Sequence, residues 1–290
     1  MKKFSIHHTI SKGAFGVVRA GIDKISSEVV ACKTIHCPRH QVPSVRLEID
    51  IGRQIPKGII GLVSILGSWC EHYHPLPCEQ ADPEDVHLLT PFAPFAFATA
   101  PWQQINLPTR LALFRQVLEG LRNLHAMGIM HRDISPRNLL VYSDRAPATA
   151  FAGITDYSKA KRGVRAHETG IGPPGFIPPE VGQIWRPVEY TNAINVFSLG
   201  LSMAAPLVKW PYAERITLDC HNRISAPLAN ISNGLGAFLS AMIVWDPSKR
   251  PIAEAATADP FWKQSALVEV DEDEDCAIVN VAARLQRSAG

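Results

Sequence analysis

Between Phe4 and Ile35 the chain alternates short β-branched runs, such as Gly16-Val17-Val18 and Glu28-Val29-Val30, with glycine and polar positions. That pattern predicts a strand, a glycine turn and two further strands. Val45–Ile55 carries helical spacing through Val45, Ile49 and Gly52 and predicts a short helix. Ile59–Trp69 reads as a strand, Cys70–Asp85 as a polar loop and Val86–Thr90 as another strand. Pro91-Phe92-Ala93-Pro94 is expected to leave the sheet, because proline has no N–H for a ladder.

From about Pro108 the period becomes helical, with Leu111, Phe114, Val117, Leu118, Leu121, Leu124 and His125 on one stripe. Gly128 suits the C-terminal stop of that helix. Leu139–Tyr142 and Ala150–Thr155 read as strands, and the remainder as helices separated by Pro/Gly-rich turns, notably Gly170–Pro179. The expected class is α+β: a strand-rich lobe over about residues 1–90, a hinge near 90–95 and a larger helical lobe over 96–262. Residues 263–290 read as a solvated, acidic appendage, and there is no internal repeat.

Composition narrows the field. At 290 residues with 46% apolar and 19% charged side chains, the chain is long enough and apolar enough for a core. The net charge of +2 is uneven. From Lys263 onward six acids face three bases, which leaves residues 1–262 at +5. That is mild, and no nucleic-acid partner is expected from it. The six cysteines form no C-x-x-C pair, as expected of reduced thiols in the cytosol or nucleus. The first residues lack the apolar segment of a signal peptide, and neither Leu88–Trp102 nor Val196–Val208 is long enough to span a bilayer. A soluble intracellular protein without a membrane partner is expected.

The chemistry concentrates at His131-Arg132-Asp133-Ile134-Ser135-Pro136-Arg137-Asn138. Phosphoryl transfer needs a carboxylate to orient a hydroxyl and accept its proton, and oxygen ligands for magnesium. Asp133 suits the first task and Asn138 the second. Arg137 could stabilise a phosphate as its charge shifts. Asp156, eighteen residues beyond Asn138, is a second candidate ligand, although taken alone it is equally an ordinary surface acid.

These residues resemble the eukaryotic protein kinase family, and the resemblance runs from Phe4 to Trp262. The loop matches H-R-D-x-x-x-x-N, and Asp156-Tyr157-Ser158 stands where the family has D-F-G. Gly172–Glu180 aligns with G-T-P-x-Y-x-A-P-E, and Asn195–Gly200 with D-x-W-S-x-G. Asp246–Pro251 supplies Arg250, which the resemblance pairs with Glu180 in a structural ion pair. Upstream, Ser11, Gly13 and Gly16 resemble the Gly-rich loop, and Val30-Ala31-Cys32-Lys33 the strand whose lysine holds ATP phosphates and pairs with a helix glutamate, here Glu48. The resemblance implies a bilobal kinase fold, ATP and Mg²⁺ as cofactors, and a protein substrate. Adenine would lie between Val18, Ala31 and Leu140, beside Thr90, with backbone groups of Pro91 and Ala93 at its edge. Asp133, Arg137, Asn138 and Asp156 would form the catalytic set.

Departures from the pattern carry their own expectations. Ser135 replaces the lysine usual in serine/threonine kinases, Arg137 stands where tyrosine kinases often place a cation, and Pro173 replaces a threonine. The Asp246–Pro251 and activation-segment motifs keep the serine/threonine reading ahead. Tyr157 brings a hydroxyl that needs a partner, Ser158 restricts a pivot, and Asn195 loses a charge. Gly52 stands where a bulky residue is expected, which predicts a gap, a poorly locked helix and dependence on an activator. Substituting Gly52→Leu should then raise basal activity. Thr169 is either an exposed loop residue or a phosphorylation site read by Arg132, through an activating kinase. Cys70, His72, His74 and Cys78 have zinc-ligand chemistry, but two prolines and other residues interrupt them. A catalytically weak ATP-binding scaffold and a small-molecule phosphotransferase remain as alternatives.

Overall fold

The computed structural model describes residues 4–13, 16–70, 84–143, 150–168, 171–181, 188–208, 216–232 and 234–265. Its first half is built on one antiparallel sheet. β1 (Phe4–Gly13), β2 (Gly16–Asp23) and β3 (Val29–Cys37) run as a meander, and α1 (Val42–Gln54) follows. α1 starts three residues earlier than its periodicity suggests because Val42 and Pro43 form its first turn, where proline's missing donor is harmless.

The segment expected to be one strand, Ile59–Trp69, instead serves two sheets. β4 (Gly61–Leu62) and β5 (Gly67–Cys70) are separated by irregular chain. Gly61 takes φ +80°, and a Cβ there would sit 1.9 Å from the carbonyl oxygen of Gln116. The reciprocal Cβ on Gly120 would meet the Gly61 oxygen at 2.0 Å. Two glycines thus let the backbone of β4 touch a helix directly at the first residue of the strand.

β6 (Glu84–Pro91) completes the first sheet, in the order β1-β2-β3-β6-β5. Pro91 is its last residue, opposite Val30, so the proline ends the ladder rather than preceding that end. Strand alternation assigns the two faces. Val30, Cys32 and Leu89 form an outer cluster, whereas Ile35, Cys37, Val86 and Leu88 pack with Val42, Val45 and Ile49 of α1. Ala31 and Lys33 share parity with Ile35, and Thr90 with Leu88, so all three belong to the face that continues beyond α1.

The second half begins with β7 (Phe95–Ala96) and α2 (Leu107–Ala126). Asn106 caps α2 by accepting from the Thr109 N–H at 2.9 Å, and Gly128 follows its end at φ +69°. All six apolar residues of the expected stripe are buried; His125 is half-buried and polar-bonded. β8 (Ile129–Met130), β9 (Leu139–Ser143) and β10 (Ala150–Ile154) follow. β10 pairs with β9 and, in parallel, with β4, in the order β4-β10-β9-β7. β11 (Lys161–Arg162) pairs with β8, and β12 (Arg165–Ala166) with β13 (Tyr190–Thr191). α3 (Ala193–Val208) is buried along most of its length, as its apolar circumference requires. α4 (Leu218–Ala229) and α5 (Leu235–Met242) pack on α3, whereas α6 (Ala253–Thr257) and α7 (Pro260–Ser265) pack on α2. The class is α+β, with a β-rich first part and a helical second part. Among the described residues no helix is long and apolar enough to cross a membrane.

Candidate active site

The sheet, α1 and the β8–β9 loop converge on one cleft. Lys33 Nζ lies 2.8 Å from Glu48 Oε1 and 3.2 Å from Asp156 Oδ2, so β3, α1 and the turn after β10 meet on a single ammonium. Burial alone would lower the lysine, but the two carboxylates outweigh it and raise its pKa. Burial pushes Glu48 up despite Lys33, while Lys33 and the Ser158 hydroxyl hold Asp156 below the usual range even though it is buried. Glu48 Oε2 is buried and has no hydrogen-bond partner among the described residues.

Asp133 sits across from Asp156. Its carboxylate Oδ2 accepts from Asn138 Nδ2 at 3.2 Å, and the same nitrogen donates to the Asp133 carbonyl at 2.8 Å. Burial, with Asp156 adding to it, lifts the Asp133 carboxyl to about 6. His131 ties the loop down: its Nε2–H donates to the Thr155 carbonyl at 3.0 Å, leaving Nδ1 to accept the Asp133 N–H at 3.3 Å. Those two partners specify the neutral tautomer, and burial lowers the imidazole to about 4.

Arg132 and Asp156 are non-glycine residues with φ near +65°, and both are held by specific bonds. The Arg132 N–H donates to Asn195 Oδ1 at 2.9 Å, and Asn195 Nδ2 faces His125 Nε2 at 3.1 Å. The amide therefore has a fixed orientation, and the charge absent at this position is replaced by a neutral histidine accepting the second bond. Asp156 Oδ1 accepts from the Ser158 hydroxyl at 2.6 Å, and Ser44 Oγ of α1 donates to the Ser158 carbonyl at 2.5 Å. Ser158 thus links the turn to α1.

The expectation of a gap at Gly52 is overturned. A Cβ on Gly52 would lie 2.4 Å from Cδ1 and Cγ1 of Ile65, so the Ile65 side chain already fills that space. The Ile65 N–H also donates to the Gly52 carbonyl at 3.0 Å. Gly52→Leu must displace Ile65, and the reasoning that it would raise activity by filling a void falls with the void. The Tyr157 hydroxyl does find partners, shared between the carbonyls of Val63 at 3.0 Å and Ile154 at 2.8 Å. Its ring meets His131 edge-on at 5.7 Å.

Away from the cleft, Arg250 uses all five donors. It forks onto Glu180 at 2.6 and 2.9 Å and donates to the carbonyls of Val244, Trp245 and Ala193, with Phe197 beneath it. Arg137 is exposed and bonds no described side chain. Ser135 is buried.

Val18, Ala31, Thr90, Pro91, Ala93 and Leu140 are all half-buried. Val18 lies opposite Lys33, and Ala31 opposite Thr90, in the sheet registers. Ser11 and Gly13 are exposed on β1, and Gly13 pairs with Gly16 at the end of the hairpin. Thr169, His72, His74 and Cys78 lie outside the described residues, whereas Cys70 is buried. Among the described residues no three His, Cys, Asp or Glu side chains converge as a metal site.

The donor set does fit a hard divalent cation shared with a phosphate. Asn138 spends its Nδ2 on Asp133 and keeps its carbonyl oxygen, Asp156 supplies a carboxylate, and the cleft carries more acid than base. Sequence reasoning missed the His125–Asn195 bond, Ile65 as the partner of Gly52, and Glu168, which pairs with Arg132 at 3.2 Å and Lys161 at 2.6 Å. An acid just after the basic stretch Lys159–Arg165 was the available signal for the last.

Known proteins share this sequence organisation. The chain is 27% identical over 270 residues to a probable myosin light chain kinase of Dictyostelium discoideum, covering 87% of this chain and 72% of that protein. It is 31% identical over 199 residues to the serine/threonine-protein kinase/endoribonuclease IRE1 of Oryza sativa subsp. japonica, covering 64% and 22%. Across its whole length it is 23% identical to the serine/threonine-protein kinase ssp1 of Schizosaccharomyces pombe, where it covers 50% of the relative. The chain thus spans half or less of the last two. The protein kinase domain family matches residues 4–262, and with the lysine, two aspartates and asparagine gathered in one cleft, the chain belongs to that family.

Proposed function

We propose that this chain is an active protein kinase that moves the γ-phosphoryl group of ATP onto a serine or threonine hydroxyl of a protein. The observation that carries the reading is Lys33 bonded to both Glu48 and Asp156, because that contact joins the sheet, α1 and the turn after β10 into one nucleotide cleft.

In this reading Val18, Ala31 and Leu140 hold the base, with the Pro91–Ala93 backbone at its edge, and Ser11, Gly13 and Gly16 cover the phosphates. Lys33 grips the α- and β-phosphates. Asn138 and Asp156 would hold Mg²⁺, which when bound neutralises charge on the phosphate oxygens. Asp133 orients the substrate hydroxyl and takes its proton as the new O–P bond forms and the bond to ADP breaks. An aspartate with pKa about 6 is ionised at neutral pH and basic enough for that step. Arg137, exposed at the rim, is available to the transferring phosphoryl group or the substrate.

The scaffold alternative rested on Gly52, Tyr157-Ser158 and Asn195. Ile65, two carbonyls, Ser44 and His125 respectively partner those residues, which favours a competent site. The names of the relatives favour serine/threonine over tyrosine. Six cysteines without a C-x-x-C pair suit a reducing intracellular compartment.

Labelled Mg-ATP and a serine/threonine peptide array test the proposal. Transfer to hydroxyl peptides is expected, falling at least ~100-fold, or about 2.7 kcal/mol, in Asp133→Asn and Lys33→Met. Nucleotide binding without transfer would sink it in favour of a scaffold.

A further inference from the structure

Arg132 immediately precedes Asp133, and its side chain is only 12% exposed. Its Nε donates to the Lys159 carbonyl at 2.7 Å, and Nη1 reaches both the Tyr190 hydroxyl at 3.3 Å and Glu168 Oε2 at 3.2 Å. The other Glu168 oxygen accepts from Lys161 at 2.6 Å. Lys161 lies on β11 opposite Met130 of β8, directly before His131. A ring therefore closes from β8 through Arg132, Glu168 and Lys161 back to β8. A second path enters from β13, where Tyr190 pairs with Ala166 and its hydroxyl points at Glu168 at 3.5 Å.

We infer that Glu168 is a positioning residue for phosphoryl transfer, its carboxylate holding the segment after Asp156 against the Asp133 loop without any phosphate on Thr169. The inference rests on the kinase reading and concerns what that site requires to work. Among the described residues Glu168 is the sole carboxylate that contacts Arg132. One carboxylate set between two cations leaves a positive surplus. Replacing it with an amide leaves Arg132 and Lys161 facing each other uncompensated. The bond from Lys161, with Arg132 adding to it, holds the Glu168 carboxyl down at about 2, so it remains charged throughout the working pH range.

The test uses the full chain, treated with phosphatase, as wild type, Glu168→Gln, Glu168→Asp and Thr169→Ala. Thr169→Ala is expected to stay within twofold of wild type. Glu168→Gln should lose about tenfold in kcat with KM for ATP within twofold, and Glu168→Asp should recover most of the loss. Amide hydrogen exchange over residues 130–133 and 161–168 should speed up in Glu168→Gln alone. Full activity and unchanged exchange in Glu168→Gln would overturn the inference, as would loss of activity in Thr169→Ala with Glu168 intact. If wild type transfers no phosphate, the kinase reading fails by itself, and the exchange measurement still decides whether Glu168 orders the loop.

Discussion

The Arg250–Glu180 and Lys33–Glu48 pairs join opposite charges at nearly the same distance, 2.6 and 2.8 Å, yet their surroundings differ in kind. Around Arg250 every donor is used, the guanidinium is fully buried and an aromatic ring lies under it. Around Lys33 the charges do not balance: two carboxylates face one ammonium, Glu48 Oε2 has no partner among the described residues, and the lysine is 18% exposed. A saturated pair has nothing left to offer a ligand and serves the fold. An unsaturated one, rich in negative charge, is completed by what enters the cleft.

Breaking the saturated pair should have the largest effect. Arg250→Met leaves Glu180, whose side chain is only 10% exposed, without its fork, and a loss of roughly 3–5 kcal/mol is expected by urea unfolding. A loss under ~1 kcal/mol would show that this pair is not the anchor its geometry describes.

Acid should act next, through half-buried His125 on α2 and buried His131 beside Asp133. His125 and His131 are each held near 4 by burial, against 6.5 in an unfolded chain. Between those values the unfolded state binds more protons, so stability falls as pH drops from 6.5 toward 4, by up to roughly 3 kcal/mol per group. His125→Gln keeps an acceptor for Asn195 and cannot titrate. It should flatten the slope of stability against pH, which Asp133, lifted to about 6, already opposes, and an unchanged slope would remove His125 from the account.

At Gly52 the expected cost is smaller. Gly52→Leu forces Ile65 aside and should destabilise the protein by ~1–3 kcal/mol, with activity falling rather than rising. Ile65→Ala in the same chain should restore part of the loss. A more active Gly52→Leu would return the matter to the void that the sequence suggested.

Lys33→Met sharpens the comparison at its small end. Partial exposure and the readiness of Glu48 to accept a proton should limit its stability cost to ~1–2 kcal/mol, well below Arg250→Met. Equal losses at the two sites would erase the distinction between them.

Much of the site was legible because its chemistry is carried in short contiguous strings. His131–Asn138 places an acid and an amide five residues apart on one loop, and the asparagine bonds the aspartate within that loop. The α2 stripe was equally legible, since helical periodicity reports burial directly. Ile59–Trp69 was misread because an apolar run does not announce which sheet it joins. The seat of β4 at Gly61 depends on Gly120, far along the chain.

The sequence by itself determined the order of most elements, the candidates for reactive side chains and the need for Tyr157 to find hydrogen-bond partners, because these follow from residue type and local spacing. Only the tertiary structure decided that Ile65 fills the place left by Gly52, that His125 completes Asn195, and that Glu168 meets Arg132. Each of those facts is a distance between segments remote in sequence. Packing selects such a partner from whatever the folded chain brings near, and no local pattern encodes it.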